Sequence, residues 1–214
     1  MPDDGTLQAG ASLVYVDNGD GTISDLVTGL MWEKKGDNGG LHDKDNGYVW
    51  TGIGTQETLW DWLDDVNAEG GTGFAGYDDW RIPNAKELQS LVNFQEIPPM
   101  TSGAFNTGCT AGVSVLQGSC TAVTAYASST TWARSTGMAW GVTFYEGLLF
   151  PYDKASALRV RAVRAGSSRL PGHRPDHGLH GQQERRHPRR RRSARRRHAA
   201  AGGRFLSPTT ATAR

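Results

Sequence analysis

An α+β fold, with antiparallel strands and two helices, is the class this sequence predicts, and three observations predict it. Short strand signals separated by Gly, Asn and Asp turns occupy residues 13–33. Two capped helix signals follow between residues 58 and 92, and strand signals return from Tyr126 to Arg164. No regular alternation of strand and helix appears, which excludes a doubly wound sheet. Residues 1–165 suffice for one domain with its own core and are too few for two ordinary ones.

The elements follow in chain order. Leu13–Val16 reads as a strand, Asp17-Asn18-Gly19-Asp20-Gly21 as a tight reversal, and Thr22–Asp25 as the returning strand. Gly and Asn tolerate positive φ, which such a turn needs. A turn at Thr28-Gly29 leads into a third strand, Leu30–Glu33, and residues 36–57 read as a long polar surface loop. Thr58 then caps a helix with Asp61 three residues on, and Leu59, Trp62, Leu63 and Val66 supply the apolar face. Gly70-Gly71 ends it. Pro83 keeps Ile82 extended, after which Asn84 caps a second helix with Glu87 at the third position and Leu88, Leu91 and Val92 buried. A Gly/Ser/Thr-rich stretch, 95–125, precedes strands at Tyr126–Thr130, Met138–Tyr145, Leu148–Tyr152 and Leu158–Arg164, with a hairpin turn at Glu146-Gly147.

The formal net charge of +1 averages two unlike segments. Residues 1–165 hold 10 Lys+Arg against 20 Asp+Glu; residues 166–214 hold 13 Arg against Asp176 and Glu184. All seven Trp lie in the first segment and five of the six His in the second. The second has almost no apolar residue from which to build a core, so it reads as a disordered Arg-rich tail. Its codons carry a further pattern. The second codon bases of Ala194–Ala200 are permitted first bases for Pro-Asp-Asp-Gly-Thr-Leu-Gln, which is Pro2–Gln8 of the same chain. The tail is therefore expected to be an out-of-frame translation of a following repeat, and its Arg runs give no reason to expect nucleic acid as a partner. No run of 18 apolar residues exists, so membrane insertion is not expected, and no signal peptide is read in the chain as given.

Seven strings, taken in order, carry a family resemblance. They are Asp17–Thr22, Thr28–Trp32, Gly76–Asn84, Lys86–Leu91, Ser128–Thr130, Ala139-Trp140 and Val160–Arg164. Over residues 5–165 the chain resembles the C-terminal domain family of the Legionella collagen-like adhesin, the Lcl C-terminal domain. The resemblance implies a C-type-lectin-like fold in exported or cell-surface bacterial proteins, sometimes in tandem copies. It also implies adhesion, since the named member binds sulfated polysaccharides. The acidic balance of residues 1–165 departs from that ligand, because a polyanion needs a basic patch. The function expected is a non-enzymatic extracellular binding or adhesion module for a glycan or protein surface, with a purely structural surface repeat as the alternative. Partners would be a cell-surface glycan or protein and copies of the chain in a homo-oligomer.

Candidate sites are few. Trp132, Arg134, Tyr145, Tyr152 and Lys154 lie on or beside the last strands, where aromatic faces and polar tips suit a sugar; ordinary surface residues are the plainer reading. Asp17 and Asp20, and Asp43 and Asp45 beside His42, form two acidic loops that suggest calcium as a possible cofactor. Neither has the full spacing of a calcium loop, so a structural hairpin and a solvated loop are preferred. Cys109 and Cys120 enclose ten residues; a disulfide is favoured over two free thiols or half a zinc site. Trp32, Trp80 and Trp140 are expected in the core. Residues 1–165 hold one His and no hydrolase, zincin or phosphate-loop motif, which argues against an enzyme.

Overall fold

A three-stranded meander opens the fold: β1 (Tyr15–Asp17), β2 (Thr22–Asp25) and β3 (Leu30–Glu33). The structure, a computed structural model, describes residues 12–52 and 54–166. The start of the predicted domain at residue 5 and the tail beyond 166 lie outside the described residues. The β1–β2 turn closes because Asp17 Oδ1 accepts from the Gly19 N–H and Asp20 Oδ1 from the Thr22 N–H, with Gly19 and Gly21 at positive φ. The remaining strands are β4 (Gly47–Tyr48), β5 (Ala125–Thr131), β6 (Met138–Thr143), β7 (Leu148–Asp153), β8 (Leu158–Arg159) and β9 (Val163–Ala165). They complete two sheets, ordered β1-β2-β3-β9 and β4-β8-β5-β6-β7.

The helices form where local signals put them. In α1 (Leu59–Ala68), Thr58 and Asp61 make a reciprocal capping box, and Leu59, Trp62 and Val66 are buried. In α2 (Ala85–Gln89), Asn84 and Glu87 do the same. This helix is shorter than its apolar spacing suggests. Val92 is drawn into an antiparallel bridge with Thr101, and the Thr101 hydroxyl donates to the Leu91 carbonyl. The chain must therefore leave the helix before Leu91 and Val92 reach their buried and half-buried positions.

Two cores form, and alternating strand residues feed both. Met31, Ala127, Val160 and Ala162 join Trp62, Phe74 and Trp80 in one. Trp32, Tyr126, Val142 and Val163 join Leu88, Phe105 and Phe144 in the other.

Four expectations need correction. The polar stretch 36–57 is not all loop, since β4 pairs with β8 and Val49 bridges Thr58. The run Leu158–Arg164 is two strands in different sheets, because the Ala162 N–H donates to Glu33 Oε2 instead of continuing a ladder. Pairing is not wholly antiparallel: β8 meets β5 in parallel, as strands joined by a crossover run the same way. Trp140 is half-buried rather than core, whereas Trp62 is fully buried.

Candidate functional site

One solvent-open depression gathers aromatic side chains with polar groups. Tyr48, Trp50, Ala127, Ala139, Trp140, Tyr152, Lys154 and Leu158 line it, together with Asp153 and Ser156. Trp50 follows β4, and its indole N–H donates to the Ser128 carbonyl at 3.1 Å. Trp60, on the first turn of α1, stands edge-on to Trp50 with centroids 5.0 Å apart. Lys154 follows β7 and carries its Nζ 3.7 Å from the centre of the Trp50 ring, while donating to Thr131 Oγ1 at 2.8 Å. The Lys154 carbonyl accepts from the N–H groups of Trp50 and Thr51, and its own N–H donates to Gly137. One lysine thus ties together the ends of β4, β5 and β7.

The five residues expected to bind ligand are not brought together. Tyr152 and Lys154 line the depression. Trp132 packs edge-on against Trp140, 6.4 Å between centroids, and Arg134 is exposed in the β5–β6 turn. Tyr145 is exposed in the turn at the far end of the β6–β7 hairpin. Trp50 and Trp60 were missed. Their signal was present as aromatic residues in an otherwise polar stretch, but nothing local told which strand end they would reach.

The acidic loops differ from each other. Asp17 Oδ2 takes the Lys34 ammonium at 2.7 Å, and Asp20 Oδ1 takes the Thr22 hydroxyl at 2.6 Å, so the first loop is a hairpin whose carboxylates are in use. Asp43 and Asp45 do converge, and Asp37 joins them with ligand atoms within 4.8 Å of one another. There Lys44 Nζ bridges Asp37 and Asp45, and Asp43 accepts from the N–H groups of Gly39 and Asp45. The positive charge such a cluster calls for is supplied by the chain.

A second polar centre is sealed inside. Glu33, Lys35 and Arg161 are fully buried. Glu33 Oε1 accepts from Lys35 Nζ at 2.8 Å and lies 2.7 Å from His42 Nδ1, while Oε2 takes the Ala162 N–H at 2.7 Å. His42 Nε2 lies 2.9 Å from Glu69 Oε2. Burial pushes the Glu33 carboxyl up, but Lys35 and His42 outweigh it and hold it at about 2. Burial pulls Lys35 down further than Glu33 lifts it. The asymmetry has a cause: the carboxylate collects three hydrogen-bond partners, whereas Lys35 has Glu33 beside it, Asp43 acting weakly, and the Arg161 cation opposing its charge. Burial alone would lower His42; its two carboxylate neighbours raise it instead. Arg161 Nη2 donates to the Cys120 carbonyl and to Thr121 Oγ1. Cys120 is joined to Cys109 by a disulfide, so the enclosed loop is fastened to this centre.

The fold is that of a small mixed α+β domain carrying one aromatic-lined depression among its described residues. The chain belongs to the Lcl C-terminal domain family, whose model matches residues 21–164. That is an adhesin-associated surface domain. No curated protein matches the chain. Among the described residues, no helix is long and apolar enough to cross a membrane.

Proposed function

We propose that this chain is a non-enzymatic, extracellular adhesion module of C-type-lectin-like design, binding a glycan at the depression around Trp50, Tyr152 and Lys154. The observation that carries this reading is the clustering of half-buried and exposed rings around one tethered lysine. The C–H faces of a sugar stack on Trp50, Trp60 or Tyr152, while the Tyr152 and Ser156 hydroxyls offer donors and acceptors to its hydroxyls. A non-enzymatic role is supported by the buried centre: both oxygens of Glu33 and both ring nitrogens of His42 are engaged within the fold, leaving none free to move a substrate proton. Nucleic acid is not the partner, given the acidic balance of residues 1–165.

The test is a glycan array probed with the full chain, with and without calcium, followed by titration of the best ligand against Trp60→Ala and Lys154→Ala. Binding unaffected by calcium and weakened about tenfold by either substitution is expected. Absence of binding to every glycan, calcium included, would leave the structural-repeat reading in its place.

A further inference from the structure

Strand β7 lies at the edge of its sheet, paired only to β6. Its register sets Leu148 opposite Thr143, Phe150 opposite Gly141 and Tyr152 opposite Ala139. Leu148, Phe150 and Tyr152 therefore share one face. Over β5 and β8 that face is closed by the core containing Ala127 and Trp62. Over β6 and β7 it is open: Leu148 is 43% exposed and Phe150 44%. Beneath them β6 offers only small groups on this face, Ala139 and Gly141. A Cβ added at Gly141 would stand 2.9 Å from Tyr152 Cδ2, so the Tyr152 ring lies down over the glycine toward Phe150. At the hairpin turn Tyr145 is 58% exposed, while Phe94 lies with Val92 against Gly147, on the side of the other core. At the other end the open face runs into Trp50 and Lys154.

These rings form one track rather than scattered exposed residues. It is as long as a six-residue strand, about 17–20 Å, with extensions at both ends. The Tyr152 phenol is pushed up by burial first and by the Glu146 carboxylate second, which places that carboxylate within electrostatic reach of the track. Lys154 is engaged by Trp50 and Thr131 at the opposite end. Two anions, Glu146 and Asp153, and one tethered cation leave the track without the concentrated positive charge that a sulfated or carboxylated polymer requires. An added β-strand is a poor occupant as well, because Pro151 in the middle of this edge lacks an N–H.

We infer that the site takes an extended, uncharged polysaccharide chain laid along β7 from Trp50 to Tyr145, its successive sugar rings on Tyr152, Phe150 and Leu148. This inference rests on the glycan-binding reading above and adds the ligand's charge class, length and direction. A chain of linked pyranoses with equatorial hydroxyls presents flat C–H faces in series, which matches a row of rings better than a single sugar does.

The experiment titrates the full chain with cello-oligosaccharides and N-acetylchito-oligosaccharides, from monomer to hexamer, with heparin and an extended unstructured peptide as comparison ligands. Phe150→Ser and Leu148→Ser are the variants, both checked by thermal unfolding. The expected result is hexamer binding at least about tenfold tighter than dimer binding. Phe150→Ser and Leu148→Ser should each remove most of that gain. Dimer and hexamer binding equally, or both variants leaving the hexamer unaffected, would overturn the track while leaving a sugar site at Trp50. Heparin binding in preference to the neutral hexamers would overturn the charge class alone. Binding of the peptide and no glycan would sink the inference together with the glycan reading.

Discussion

The centre around Glu33 and the strip along β7 stand in opposite relation to water. The first holds a carboxylate, an ammonium and a guanidinium away from solvent. The second leaves Phe150, Leu148 and Tyr145 in it. Burying an ion costs several kcal/mol unless partners replace its water, and here Glu33 is fully partnered. Its partners come from Lys35 just past β3, from the loop carrying His42 and from the segment between β8 and β9. Charge inside this domain specifies how separate pieces of chain fit together. The exposed side chains have no such partner among the described residues, and it is on contiguous apolar surface of that kind that the proposed glycan track rests.

Substitutions sharpen this contrast, beginning with the most damaging. Glu33→Gln leaves Lys35 buried without its anion and takes a carboxylate from His42, and urea unfolding should show a loss of about 3–5 kcal/mol. A loss within the ±0.5 kcal/mol of an ordinary surface change would mean the centre does not organise the fold. Replacing Cys109 and Cys120 together with Ser frees the loop fastened through Arg161 and should cost about 2–3 kcal/mol. Non-reduced protein should accordingly show no titratable thiol.

His42 gives a pH signature. Its folded pKa is raised, so its contribution is complete below the unfolded value of about 6.5 and is lost as pH rises through the higher folded value. The melting temperature should therefore fall between neutral and alkaline pH, and His42→Gln should flatten that slope. An unchanged slope in the variant would show that His42 is not charged in the folded state. The smallest stability effect belongs to the strip. Phe150→Ser should shift stability by no more than about 0.5 kcal/mol while weakening hexasaccharide binding. A large stability loss there would place Phe150 in the core after all.

What the chain reveals before folding tracks how local each interaction is. Both helix starts are legible because Thr58–Asp61 and Asn84–Glu87 close their capping boxes within three residues. The first meander is legible for the same reason. The aromatic depression is not, since Trp50 meets Lys154 across about a hundred positions of chain. Nor does Glu33-Lys34-Lys35 announce burial; it looks like a solvated charge run, and only the arrival of His42 and Ala162 converts Glu33 and Lys35 into interior groups. Trp140 misleads in the other direction. Its size argues for the core, yet the register puts it opposite Pro151 near the open end of the hairpin.

The stretch from Leu158 to Ala165 lends two residues to one sheet and three to the other. Neither sheet can fray at that point without pulling on the ladder of its neighbour. Amide exchange should therefore find Tyr126 of β5 and Val163 of β9 opening with one shared free energy, as a single cooperative unit. Mechanical load applied to either sheet would find no weaker layer to peel away first.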